Sequence, residues 1–194
     1  HVVVVPKLSA QPALGEIEKA VPWEACLNGG VPALCFEPQS FSDPLFILYS
    51  SGTTGVPKCI VHGIGGTLIQ HAKEHALHTD ISRDDRFFYF TTCGWMMWNW
   101  LVSGLARGAT LILYDGSPSV RDGHRLIDAI DEEHITVFGV GAKYLGALEK
   151  SGVVPAESHE LSTLKTVLST GSPLPHEGFE WVYRAFKTDL HLAS

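Results

Sequence analysis

The 194-residue sequence lacks several features that would place a protein in a class at once. It has no apolar run approaching the 18 residues of a membrane-spanning helix, so no membrane span is predicted. It has no run of Lys and Arg, and its 14 basic residues are outnumbered by 21 acidic ones, which argues against nucleic acid as the main partner. Its four cysteines form no C-x-x-C pair, which favours reduced thiols in a cytoplasmic protein.

Common catalytic motifs are also absent. No G-x-S-x-G segment occurs, so a serine hydrolase is not indicated. The Gly-Val-Gly segment at 139–141 fails the dinucleotide-binding fingerprint, because Tyr144 occupies the position of the third glycine.

Three histidines, His71, His75 and His78, share one face of a predicted helix. Their spacing is compatible with zinc, but it is not H-E-x-x-H, and no nearby cysteine or carboxylate completes a site. We therefore predict no metal site and expect a partly exposed polar face.

What the sequence does contain is typical of a globular α/β domain. Hydrophobic residues make up 45% of the chain and charged residues 18%. Strand-like and helix-like segments alternate, which indicates a mainly parallel sheet. Strands are predicted at 2–5 (as a fully buried parallel strand), 45–49, 87–91, 109–114, 136–140, 165–169 and 189–192. Helices are predicted at about 65–79, from the tryptophan-rich segment at 95–100 to residue 106, and at 121–133, 142–149 and 175–186.

The stretch 45–58 carries the strongest functional signal. An apolar strand is followed by Ser50-Ser51-Gly52-Thr53-Thr54-Gly55 and then by Pro57 and Lys58. Glycines allow successive N–H groups to point inward, hydroxyls add donors, and the lysine adds a positive charge, so a strand, this loop and a following helix would hold a polyphosphate. The spacing differs from a P-loop, because Pro57 and Cys59 stand where Gly and Ser or Thr are required. Three loops that follow strands, at 50–58, 92–97 and 170–173, are predicted to line one crevice.

The segment Tyr49-Ser50-Ser51-Gly52-Thr53-Thr54-Gly55-Val56-Pro57-Lys58 resembles the phosphate-loop signature of the adenylate-forming superfamily, which includes acyl-CoA synthetases and luciferases. Cys59 stands where that family often has glycine. The resemblance implies that ATP phosphates are bound by Ser51, Gly52, Thr53, Thr54, Gly55 and Lys58.

Two further segments acquire roles from this resemblance. Gly171, Ser172 and Pro173 are similar to the segment that contacts adenine, with Ser172 in place of the usual glutamate or alanine. Trp95, Met96, Met97 and Thr170 match positions around the acyl and CoA pocket, although core packing remains an open alternative for the cluster at 95–100.

The segments 91–99 and 142–145 resemble the acetoacetyl-CoA synthetase subgroup. This implies an enzyme that uses ATP, Mg²⁺ and CoA to convert acetoacetate, through an acyl-adenylate, to its thioester. The chain starts and ends in strand-like runs, so we expect an internal part of the N-terminal AMP-binding domain. The resemblance places the family's acidic magnesium motif just after Ser194 and its catalytic lysine in a C-terminal lid domain.

We therefore assign no catalytic residue and expect the 194-residue chain to be inactive alone. Three alternatives remain open from the sequence: a ligase for acetate or propionate, a P-loop-type NTPase, and a non-catalytic nucleotide-binding module.

Overall fold

A computed structural model of the chain describes residues 1–7, 9–30, 33–50 and 55–194. The chain divides into two compact units, residues 1–38 and 39–194.

The first unit contains a small parallel sheet. Strand β1 (Val2–Val4) pairs in parallel with β2 (Ala20–Pro22), and a short helix α1 (Trp23–Leu27) follows. The predicted strand and its parallel pairing are confirmed. Its predicted full burial is wrong, because β1 is an edge strand of a two-stranded sheet, and Val2 and Val3 remain 46% and 44% exposed.

The second unit begins with an antiparallel hairpin. Strand β3 (Pro44–Ser50) pairs with β4 (Lys58–Gly63), with Tyr49 opposite Cys59 and Ser50 opposite Lys58. The helix predicted at about 65–79 is confirmed, but it does not follow the loop directly, because an unpredicted strand, β4, lies between them. The β-branched Ile60 and Val61 continue the ladder with β3. Helix α2 (Ile64–Lys73) starts only after Gly63 and continues into a π-helical turn at Glu74–His78.

A five-stranded sheet forms the centre of this unit and is parallel throughout, in the order β6-β5-β7-β8-β9. The prediction of an α/β fold with a mainly parallel sheet is confirmed. The strands are β5 (Arg86–Tyr89), β6 (Thr110–Ile112), β7 (Val137–Gly141), β8 (Thr166–Thr170) and β9 (His191–Ala193).

Helices connect these strands close to the predicted positions. The helix that follows β5 continues into a 3₁₀ turn at Gly104–Arg107 and ends at Gly108. The φ of Gly108 is 79°, the left-handed conformation that glycine adopts readily. The α-helices are α3 (Met96–Ser103), α4 (His124–Glu132), α5 (Ala142–Lys150), α6 (Pro155–Ser158) and α7 (His176–Ala185). None of the described helices is long and apolar enough to cross a membrane.

Alternate residues of the sheet pack into two separate hydrophobic clusters. Phe88 and Phe138 belong to the larger one, which includes buried residues of α4, α5 and α7. Phe87 and Val137 belong to the smaller one, together with Leu101 of α3. Because side chains alternate along a strand, both faces of the sheet are covered and its strand ends are held in fixed positions.

Candidate active site

A cavity of about 450 Å³ lies where β5, β7 and β8 end at their carboxyl sides. This is the edge at which open parallel sheets bind ligands. The cavity brings together residues of the predicted loops at 92–97 and 170–173. Its lining comprises Tyr89, Phe90, Thr91, Thr92, Trp95, Met97, Pro118, Ser119, Gly141, Lys143, Tyr144, Ala147, Thr170, Gly171 and Ser172.

The cavity wall is mostly apolar, with hydroxyl groups and one cation. Trp95 and Met97 contribute apolar surface, and Thr91, Thr92 and Thr170 contribute hydroxyls. Trp95 is 66% exposed, so it is a poor candidate for a core residue, whereas Trp98 and Trp100 pack against the smaller cluster. Core packing therefore explains Trp98 and Trp100, whereas Trp95 lines the cavity.

Two tyrosines fix the shape of the cavity. Burial raises the pKa of Tyr89, and burial together with the nearby Asp128 carboxylate raises that of Tyr144, so both phenols stay neutral. The Tyr144 hydroxyl donates a hydrogen bond to the Gly123 carbonyl at 2.7 Å, which ties α5 to the turn before α4. Both rings therefore act as walls and not as bases.

The position of the Tyr89 ring depends on Gly139. A Cβ atom added to Gly139 would overlap the Tyr89 ring, so only glycine on β7 allows this ring to lie across the strand. Neither residue is among the predicted site residues. The glycine inside an otherwise apolar strand pattern was the available signal.

The predicted adenine-binding residues Gly171, Ser172 and Pro173 also line a second cavity, of about 380 Å³. Gly171 has a φ of 87°, which lets the chain turn sharply after β8. Ser169 lies in the same wall, and its buried Oγ has no hydrogen-bond partner among the described residues. A buried hydroxyl without a partner is costly unless a ligand or water satisfies it, so Ser169 joins the candidate residues.

Met96 and Met97 point to different places. Met97 lines the 450 Å³ cavity, whereas Met96 lines a separate cavity of about 400 Å³ with His62, His71 and Asn99. The structure therefore does not bring Met96 together with the other predicted acyl-pocket residues.

The predicted phosphate loop is described only in part. Ser51, Gly52, Thr53 and Thr54 lie outside the described residues. Gly55 and Lys58 are exposed, and Lys58 is the first residue of β4. β3 belongs to the hairpin and not to the parallel sheet, so this loop does not follow a strand of that sheet. That it lines one crevice with the loops at 92–97 and 170–173 stays a prediction.

The histidine face predicted to be polar and partly exposed is also wrong at its central member. His75 is fully buried, and its Nε2 lies 3.0 Å from the Trp100 carbonyl oxygen and 2.9 Å from Ser103 Oγ. Burial lowers its pKa to about 4. Its ring packs 4.3 Å from that of Trp100, so an apolar contact between α3 and the π-helical turn replaces the expected polar surface. No group of three or more potential metal ligands occurs in the described part of the chain.

The sequence and the fold are similar to those of known proteins. Residues 3–193 match the family described as AMP-binding enzyme. The chain is 60% identical over 161 residues to acetoacetyl-coenzyme A synthetase of Rhizobium meliloti (strain 1021), covering 83% of this chain and 25% of that protein. It is 50% identical over 165 residues to malonamoyl-CoA synthetase vrtB of Penicillium aethiopicum, covering 78% and 23% respectively.

A solved structure of acetoacetyl-CoA synthetase from Streptomyces lividans is similar with a TM-score of 0.87 at 41% identity, covering 99% of this chain and 30% of that one. The chain thus spans less than a third of the length of each of these relatives. Since the family match extends over nearly all of its residues, the chain belongs to the AMP-binding enzyme family.

Proposed function

We propose that these residues are an internal part of the AMP-binding domain of an ATP-dependent acid–CoA ligase, and that its acid is acetoacetate. The observation that carries the proposal is the cavity at the carboxyl ends of β5, β7 and β8, which joins Trp95, Met97 and Thr170. The names of the similar synthetases from Rhizobium meliloti and Streptomyces lividans support the choice of acid.

In the proposed reaction, a carboxylate oxygen of the acid attacks the α-phosphorus of ATP. The bond to the leaving pyrophosphate breaks, and an acyl-adenylate forms. The CoA thiol then attacks the acyl carbon, and AMP leaves. Both steps require the reacting groups to be held in line and the developing phosphate charge to be stabilised.

The residues of the chain divide this work between them. Gly171, Ser172 and Pro173 would hold adenine next to the acid cavity, with Ser169 Oγ as an added donor. Trp95, Met97 and Thr170 would enclose the acid.

The phosphate-binding roles of Ser51, Gly52, Thr53, Thr54, Gly55 and Lys58 stay predictions, and so does that of Met96. Mg²⁺ would accompany the nucleotide. No residue is proposed to hold it, because no group of three or more His, Cys, Asp or Glu residues that could bind a metal occurs among the described residues. The catalytic lysine of the lid domain and the cytoplasmic location also remain predictions.

The apolar wall favours a short acid with a small terminal group. A second acid, malonamate, is favoured by the similarity to the malonamoyl-CoA synthetase. Its amide nitrogen occupies the place of the terminal methyl of acetoacetate, so the two acids have nearly the same shape.

The test is acid-dependent ATP–pyrophosphate exchange by the complete protein that contains this chain, with acetoacetate, malonamate, acetate and propionate. We expect the highest kcat/KM with acetoacetate and no exchange by the 194-residue chain alone. Preference for acetate or propionate would replace the proposed acid. ATP hydrolysis without acid would indicate an NTPase, and ATP binding without any turnover would indicate a binding module.

A further inference from the structure

Lys143 is the one charged side chain that lines the 450 Å³ cavity, as far as the described residues show. No Asp or Glu lies in that lining, and Lys143 forms no hydrogen bond or ion pair with a described residue. The cavity therefore contains a cation whose hydrogen-bond donors are free. A cation in this position favours a ligand with an acceptor oxygen.

The backbone of Lys143 is held firmly although its side chain is exposed. It lies in the first turn of α5, between Ala142 and Tyr144. Ala142 and Leu145 are buried in the larger hydrophobic cluster, and the Tyr144 hydroxyl is bonded to the Gly123 carbonyl. The Cα atom of Lys143 is therefore fixed at the cavity rim, while the ammonium group can adjust its position to a ligand.

The two acids named for similar proteins share one group. Acetoacetate and malonamate both carry a carbonyl at carbon 3 and differ only in a terminal methyl or amino group. A site that accepts a 3-carbonyl acid and rejects a saturated acid of the same length must recognise this oxygen. The thioether of Met97 cannot do so, because it offers no donor, and the indole N–H of Trp95 is only a neutral donor.

We propose that Lys143 is a specificity-determining residue whose ammonium group donates a hydrogen bond to the 3-carbonyl oxygen of the acid. The inference rests on the proposed ligase function and adds the substrate class, namely short 3-carbonyl acids. The threonine hydroxyls of the cavity are neutral donors, and a bond from a charged donor is about twice as strong. Lys143 therefore dominates the discrimination.

The test compares acetoacetate with butyrate, which has the same chain length and no carbonyl, in ATP–pyrophosphate exchange by the complete protein. Lys143→Met keeps the aliphatic stem and removes the donor. We expect kcat/KM for acetoacetate to fall about 10- to 150-fold and kcat/KM for butyrate to change less than about twofold. Lys143→Arg, which keeps a charged donor, should retain part of the preference. Lys150→Met, at the exposed end of the same helix, is the matched control and should leave both values unchanged.

Each other result has a distinct meaning. An equal loss with both acids would overturn the proposal, since Lys143 would then act on the shared carboxylate or on folding. A raised KM for ATP or CoA with an unchanged acid preference would also overturn it, and would assign Lys143 to a phosphate. A wild-type protein that exchanges with no acid would refute the proposed function, and the inference with it.

Discussion

The hairpin of β3 and β4 and the five-stranded sheet are built from similarly apolar strands, yet they differ in burial. In the sheet, Phe87, Phe138 and Val167 are fully buried. In the hairpin, Ile47 and Val61 lie opposite each other and are 56% and 58% exposed. The sheet is covered by helices on both faces, whereas the hairpin packs only one face against α2. Strands of similar hydrophobicity are therefore buried to different extents, and we expect the hairpin to be less rigid than the sheet.

This difference matches the two tasks of the proposed site. The cavity proposed for the acid is formed by the ends of buried strands and is held in shape by the core. The predicted phosphate loop is carried by the exposed hairpin, with Lys58 facing solvent. A preformed acid pocket favours selectivity, and an exposed phosphate-binding lysine would suit the release of pyrophosphate.

The largest expected effect comes from opening the core of the sheet. Phe138 is fully buried and stacks on Phe88 at a ring distance of 5.4 Å. Phe138→Ala should lower the free energy of unfolding by about 3–5 kcal/mol, because it removes buried surface and leaves a cavity. Ile47→Ala in the hairpin is the matched change and should cost less than about 1 kcal/mol. Urea unfolding followed by tryptophan fluorescence measures both, and equal losses would contradict the comparison.

A smaller effect is expected where the core shapes the cavity. Gly139→Ala should cost about 1–3 kcal/mol, because the added methyl displaces the Tyr89 ring. It should also lower kcat/KM for the acid, since that ring lines the cavity. Gly146→Ala, inside α5 with no atom near the added methyl, should instead stabilise by up to about 1 kcal/mol. Unfolding and ATP–pyrophosphate exchange assays on both variants test these two expectations. An unchanged kcat/KM for the acid in Gly139→Ala would show that the Tyr89 ring does not contribute to the acid site.

A further effect, confined to low pH, concerns His75. Its folded-state pKa of about 4 lies below the ordinary value of 6.5, so the unfolded chain binds more protons between these values. The stabilisation that comes from keeping His75 neutral is therefore fully present above pH 6.5 and is lost as the pH falls towards 4. The stability advantage of wild type over His75→Gln should shrink by about 2 kcal/mol between pH 7 and pH 5. His78→Gln removes an exposed imidazole from the same turn. If the stability difference between wild type and His78→Gln shrank equally between pH 7 and pH 5, burial of His75 would not be the cause.

The parallel sheet, and the position of two loops at one edge of it, could be predicted from the sequence. Both follow from local patterns, namely apolar strands that are followed closely by Thr91-Thr92 and by Gly171-Ser172. A parallel sheet brings such strand ends to one edge whatever the order of its strands.

What escaped prediction depends on contacts between distant residues. β4 was missed because its pairing with β3 is a property of two segments, and α2 follows it without a break. His75 was placed on the surface because helical spacing does not reveal that Trp100, 25 residues away, covers it. Lys143 could not be identified as a site residue from the sequence, since nothing local shows which side of α5 faces a cavity.

The central claim is that the sheet selects the acid and the hairpin acts on the phosphates. The most direct test measures the ratio of kcat/KM for acetoacetate to that for 3-oxohexanoate in two variants of the complete protein. We predict that Met97→Ala, which enlarges the acid cavity, lowers this ratio about tenfold or more. Lys58→Ala should slow exchange with both acids by about 10²-fold or more and leave the ratio unchanged. A ratio altered by Lys58→Ala, or unaltered by Met97→Ala, would contradict this division of the site.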